Sequence, residues 1–325
     1  MKRQYFWITF AAAAFAASSP GFAASANNYP ERPIRIIVPY SPGGTSDFVG
    51  RLVAQGLTEK LGQQLVVDNR GGAGSALGTK LAADANPDGY TLIVNNIGLA
   101  VNETLRPDRD YVALKDLAPV SLVGFTPSVL VVSRTSPFKS VADWVAAAKA
   151  QPGKISFGSA GAGSSTHLSM AYLQSIAKIK LLHVPYKGGS PAVRAMIGGE
   201  VQCVLSPIPT VFGYIKGGLI RPLAVSGSKR SSALPALPTI AEAGVPGYEF
   251  NTWYGVLTRA GTPKAIIAKL NQAMVKALSS PDLQKKLQTT GLDPQPTTPQ
   301  GFRKLISSEI SKWREVIAKA GITKR

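Results

Sequence analysis

The chain has 325 residues, 45% of them apolar and 17% charged, with a formal net charge of +18. That length supports two compact lobes, and a single cysteine, Cys203, excludes an internal disulfide framework. The excess charge, with 12 basic against 4 acidic residues from Lys264 onward, does not describe a nucleic-acid binder. The basic residues are spread through helical patterns without interleaved aromatic platforms, so they read as a solvated surface that attracts carboxylates.

At the N-terminus, Lys2 and Arg3 precede an apolar run from Tyr5 to Ala17, and small residues then end in Ala24-Ser25-Ala26. A charged head, a short apolar middle and an A-x-A end describe a secretory signal over 1–26. The apolar run has 13 residues, fewer than the ~20 that cross a bilayer. The mature chain is expected to begin near Asn27 and to lie free in a bacterial periplasm.

Ile34-Arg35-Ile36-Ile37-Val38-Pro39 reads as a strand and ends in the turn Tyr40-Ser41-Pro42-Gly43-Gly44-Thr45-Ser46-Asp47. An amphipathic helix over 46–61 follows. Open N–H groups and the positive end of the helix dipole make such a start a place to hold an anion. The arrangement returns at Ile155-Ser156-Phe157-Gly158-Ser159-Ala160-Gly161-Ala162-Gly163-Ser164-Ser165-Thr166-His167. Further strands are predicted near 64–69, 90–95, 119–124, 128–133, 155–158, 181–184, 201–206, 220–226 and 250–257. Helices are predicted near 75–85, 140–150, 164–177, 191–198, 207–217, 263–279, 281–290 and 299–320. This alternation predicts an α/β fold with mainly parallel sheets flanked by helices. Ser190-Pro191, Thr262-Pro263, Ser280-Pro281 and Thr298-Pro299 each set a hydroxyl before proline as a helix start, and Ser140 to Asp143 resembles a capping box. The segment from Asn96 to Lys115 reads as a long polar loop.

The candidate chemistry is sparse. Gly71-Gly72-Ala73-Gly74-Ser75-Ala76-Leu77-Gly78 holds a G-x-G-x-x-x-G spacing, yet it follows the second strand, so a tight turn facing another lobe or subunit fits better than a cofactor loop. There is no G-x-S-x-G elbow, and His167 and His183 have no carboxylate or thiolate at metal-ligand spacing. Both histidines read as hydrogen-bonded structural residues, and Cys203 reads as a buried small hydrophobe. No cofactor and no catalytic set are expected. Two anion-holding turns without reactive groups describe a binder.

Several segments together resemble the Bug family, the receptors of tripartite tricarboxylate transporters. They are Tyr29 to Ile34 with Pro42 to Asp47, Asn86-Pro87-Asp88-Gly89-Tyr90-Thr91-Leu92, Gly158 to Leu168, His183-Val184-Pro185-Tyr186-Lys187-Gly188-Gly189, Leu237 to Gly244 and Trp253-Tyr254-Gly255. The resemblance implies a type II-like flytrap with lobe 1 formed by 27–125 plus 254–325 and lobe 2 by 126–253. The chain would cross between them near Gly124-Phe125 and Thr252-Trp253. It further implies a monomer that captures a dicarboxylate or aromatic carboxylate and delivers it to membrane permease subunits. A periplasmic adaptor for a sensor kinase is the alternative, and a hydrolase using Ser164 or Ser165 with His167 is a weaker one. By position, Tyr40, Gly43, Gly44, Thr45 and Asp47 would form one wall, with Asn96 facing the cleft. Ser159, Gly163, Ser164, Ser165 and Thr166 would grip a carboxylate, and Ser206 stands where the family frequently has an acid. Ala162 and Asn102-Glu103 also depart from the family pattern. With Asp47 the only carboxylate expected in the cleft, a ligand ammonium would be poorly served.

Overall fold

The computed structural model describes residues 28–323; the signal segment lies outside them. The first half of the chain builds β1 (Ile34–Val38), α1 (Thr45–Leu61), β2 (Leu65–Asn69), α2 (Ala76–Ala83), β3 (Thr91–Asn96), α3 (Gly98–Leu105), α4 (Ala113–Asp116) and β4 (Leu117–Ser133). Next come α5 (Val141–Ala150), β5 (Ser156–Ser159), α6 (Ser165–Ala177), β6 (Leu182–Pro185), α7 (Gly189–Ile197), β7 (Cys203–Pro207), α8 (Ile208–Lys216) and β8 (Ile220–Val225). The chain ends with β9 (Asn251–Arg259), α9 (Lys264–Leu278), α10 (Pro281–Thr289), β10 (Asp293–Pro294) and α11 (Pro299–Ala320). The strand order β2-β1-β3-β9-β4-β7-β5-β6 is mixed: β1 to β3 run parallel, as do β5 to β7, while β4 and β9 run antiparallel to their neighbours.

Two long strands tie the halves together. β4 runs 17 residues without a break, where the sequence suggests two strands over 119–124 and 128–133. Pro127 stands where β4 passes from its pairing with β9 (Phe125 opposite Trp253, Pro127 opposite Asn251) to pairings with β7 and β8 from Ser128 and Val129 onward, a position at the end of the β9 pairing at which proline is tolerated. The two halves bury separate apolar clusters. Ile34, Ile36, Val53, Leu57, Leu92 and Leu270 pack in one, and Val129, Val131, Val193, Met196, Val204 and Val211 in the other. A third cluster runs through both and includes Trp253, Phe302 and Trp313. Helix α11 spans the junction: Phe302 packs edge-on against Trp253, and Trp313 against Tyr172 and Phe250.

The predicted loop over 96–115 contains α3 and α4. Glu103, one of the departures from the family pattern, organises this stretch. Its carboxylate takes the Arg109 guanidinium with both oxygens and also accepts the Ala113 N–H at 2.9 Å. Capping follows the sequence at Ser140, which completes its box with Asp143, and at Thr298, whose hydroxyl accepts from the Gly301 N–H. It departs at Ser190: α7 starts two residues earlier than expected, at Gly189, with Gly188 as its cap. Cys203 is fully buried, and burial pushes its thiol up to about 12.

Candidate ligand cavity

Parallel strands deliver their carboxyl ends to one place. Tyr40 follows β1, Asn96 ends β3, Ala160 follows β5, Gly189 follows β6, and Ser206 and Pro207 end β7. Together with Gly44, Thr45, Ser46, Ser165, Thr166, Thr210 and Tyr254 they line a narrow, partly open cavity of ≈ 20 Å³. Such crevices at strand carboxyl ends are where α/β sheets hold ligands.

The cavity wall is made largely of helix beginnings. Helices α1, α6, α7 and α8 all start on it, through Gly44 to Ser46, Ser165 and Thr166, Gly189, and Pro207 with Thr210. Three of these four starts lack any side-chain cap: Gly44, Gly188 and Pro207 cannot supply one. Only Ser164 caps, accepting from the His167 N–H at 3.3 Å. Among the described residues, no charged side chain lines the space. Each helix start carries roughly half a positive charge, so the four starts can favour an anion without a titrating cation.

The polar side chains of the wall are anchored. Thr45 donates its N–H to Thr210 Oγ1 at 2.9 Å, and the two hydroxyls lie 2.8 Å apart. Asn96 donates from Nδ2 to Ser46 Oγ at 3.3 Å, while its Oδ1 accepts from the Gly98 N–H at 2.8 Å and the Tyr40 hydroxyl at 3.4 Å. Thr166 Oγ1 accepts from the Ala160 N–H at 2.7 Å. Burial pushes the Tyr40 phenol up to about 12 and that of Tyr254 higher still. The Ser206 hydroxyl is different: it is fully buried and has no hydrogen-bond partner.

Of the residues expected from sequence, Tyr40, Gly44, Thr45, Asn96, Ser165, Thr166 and Ser206 come together on the wall. Gly43, Asp47, Ser159, Gly163 and Ser164 do not line it. Asp47 is corrected most clearly. Its Oδ2 accepts from the Gly43 N–H at 2.9 Å and Arg51 Nε at 3.0 Å, and its Oδ1 from Asn69 Nδ2 at 3.0 Å, so it braces the first turn from behind. Ser159 bonds His183 Nε2 at 2.6 Å, Ser164 serves as the α6 cap, and Gly163 turns the chain at φ +84°. Ser46, Ala160, Gly189, Pro207, Thr210 and Tyr254 were not anticipated as wall residues. Gly189 and Tyr254 fall within segments that carry the family resemblance. At the starts of α7 and α8, Gly188 and Pro207 carry no capping side chain.

The hydrolase alternative finds no support in this geometry. His167 Nδ1 accepts the Gly163 N–H at 3.3 Å, and its ring stacks on His183 with centroids 4.4 Å apart. Burial, and then the neighbouring His183, push it down to about 3. It is a neutral structural imidazole.

A two-lobed α/β fold with a charge-free, amide-walled cavity between its sheets defines a solute-binding protein. The chain belongs to the tripartite tricarboxylate transporter receptor family, whose model matches residues 49–322. Protein BugT of Bordetella pertussis is 38% identical over 91% of this chain and 92% of its own length. Among solved structures, Rpa4515 of R. palustris, determined with adipate, superposes with a TM-score of 0.88 at 35% identity, covering 91% of this chain and 99% of its own. MatC from Rhodopseudomonas palustris, determined with bound malate, gives 0.85 at 31% identity over 89% of this chain and all of its own. Another neighbour is the periplasmic binding protein BugD, at 0.87. The family and these neighbours are binding receptors rather than enzymes.

Proposed function

We propose that this receptor works in the periplasm, where it holds a small dicarboxylate in the cavity and delivers it to the permease subunits of a tripartite transporter. One observation carries the ligand class: four helix N-termini converge on a wall without charged side chains. Oriented amides bond carboxylate oxygens strongly and need no counter-ion. Starts on opposite sides of the space, α1 on one and α6 on the other, suit a ligand with a negative group at each end. Adipate and malate in the neighbours have that form. Asp47 is turned away and spent on Arg51 and Asn69, so no carboxylate faces the place an ammonium would take. Cleavage after residue 26 would release the mature chain, with lobe 1 as 27–125 plus 254–325 and lobe 2 as 126–253. Among the described residues no helix is long and apolar enough to cross a membrane.

The test is a thermal-shift panel on the mature protein with C4 to C6 dicarboxylates, benzoate, aspartate and glutamate. Dicarboxylates should raise the melting temperature most. Larger shifts with the amino acids, or with benzoate alone, would refute the assignment.

A further inference from the structure

We propose that Gly74 and Arg106 form a latch that holds the two lobes closed through one carbonyl, Ala162 O, away from the cavity. Gly74 follows β2 in a turn of three consecutive left-handed residues: Ala73 at φ +50°, Gly74 at +62° and Ser75 at +88°. For Ala73 and Ser75 this conformation is strained and persists only if the surroundings hold it. What holds it is the facing turn of the other lobe. A Cβ placed on Gly74 would lie 2.1 Å from Ala162 O, and one placed on Gly161 would lie 3.2 Å from the Gly74 nitrogen. The two backbones are therefore in contact, and only glycine permits it.

Arg106, just past α3, reaches the same carbonyl from the lobe 1 side: its Nη2 donates to Ala162 O at 3.2 Å. Asn102, one helical turn earlier, donates from Nδ2 to Gly74 O at 2.9 Å and so fixes the strained turn to α3. Gly74, Asn102 and Arg106 do not line the cavity. Ala162 does lie in the turn that leads into α6, two residues before its Ser164 cap. Closing the latch thus seats the α6 N-terminus against the opposite wall. These are positioning residues, acting through the 161–163 turn. The latch rests on lobe-to-lobe contacts and is independent of which ligand the cavity takes.

The test uses single-molecule energy transfer between dyes on Lys60→Cys and Lys216→Cys, exposed positions in the two lobes; native Cys203 is buried and will not label. Gly74→Ala and Arg106→Met are compared with Gly62→Ala, which carries a similar backbone penalty at φ +71° but has open space around its Cβ. Without added ligand, the closed population should fall at least fivefold in Gly74→Ala and Arg106→Met. It should be unchanged in Gly62→Ala and partly restored in Arg106→Lys. Closed populations equal to wild type in both latch variants, or the absence of any closed population in wild type, would overturn the latch. Adding adipate separates the two proposals. A wild-type protein that ignores adipate counts against the ligand assignment, while the ligand-free populations still decide the latch.

Discussion

At the scale of single residues, the cavity is defined as much by what its side chains lack as by what they offer. Ser206 carries a fully buried hydroxyl with no partner, and leaving such a group unmade costs about 1–3 kcal/mol. Removing it should therefore leave folding stability unchanged or slightly raised. If the hydroxyl serves cargo, Ser206→Ala will weaken dicarboxylate binding about tenfold while urea unfolding shows no loss, a combination that a packing role would not produce. Ser206→Asp should do more, because it sets a fixed anion among the converging amides: dicarboxylate affinity should drop at least a hundredfold by calorimetry. Asp47 teaches the complementary lesson. The family resemblance placed it on the wall, but Arg51 at i+4 and Asn69 on the next strand take its carboxylate.

At the scale of elements, the start of α6 is held by stacked rings. Phe157 on β5, His183 on β6 and His167 on α6 lie with centroids 4.8 and 4.4 Å apart. His167 must stay neutral there, with its pKa pushed from 6.5 to about 3 by burial. The unfolded chain binds the proton first, so this contribution is complete above about pH 6.5 and is lost as pH falls from there toward 3. The slope is up to 1.4 kcal/mol per pH unit. Urea titrations between pH 7 and pH 4 should show that slope in wild type, and His167→Asn should flatten it. The sequence reading placed helix starts such as those of α5 and α11 because the caps Ser140 and Thr298 announce them locally. It divided β4 in two because Pro127 ordinarily ends a strand, and pairing with β9 on one side and β7 on the other is a tertiary fact. It placed all four helices of the cavity but read only the α1 and α6 starts, which follow glycine-rich turns, as anion-holding; α7 and α8, expected near 191 and 207, begin at Gly189 and Ile208 with no side-chain cap.

For the molecule as a whole, the two crossing strands and α11 join the halves. β4 and β9 stay paired through Phe125 and Trp253, so the connection is a two-stranded ribbon rather than a pair of loops. Helix α11 adds aromatic contacts with Tyr172, Phe250 and Trp253. The charge-free cavity wall has one further consequence. Side-chain cations and acids make many receptors sensitive to the acidity of their surroundings, but backbone amides neither gain nor lose protons, and burial keeps the Tyr40 phenol un-ionised up to about 12. Affinity for a fully ionised diacid should thus be flat from about pH 7 to 9, as calorimetry across that range would reveal. Only acidification of the cargo itself would loosen the grip, so the metabolite's own chemistry sets the conditions under which it is carried.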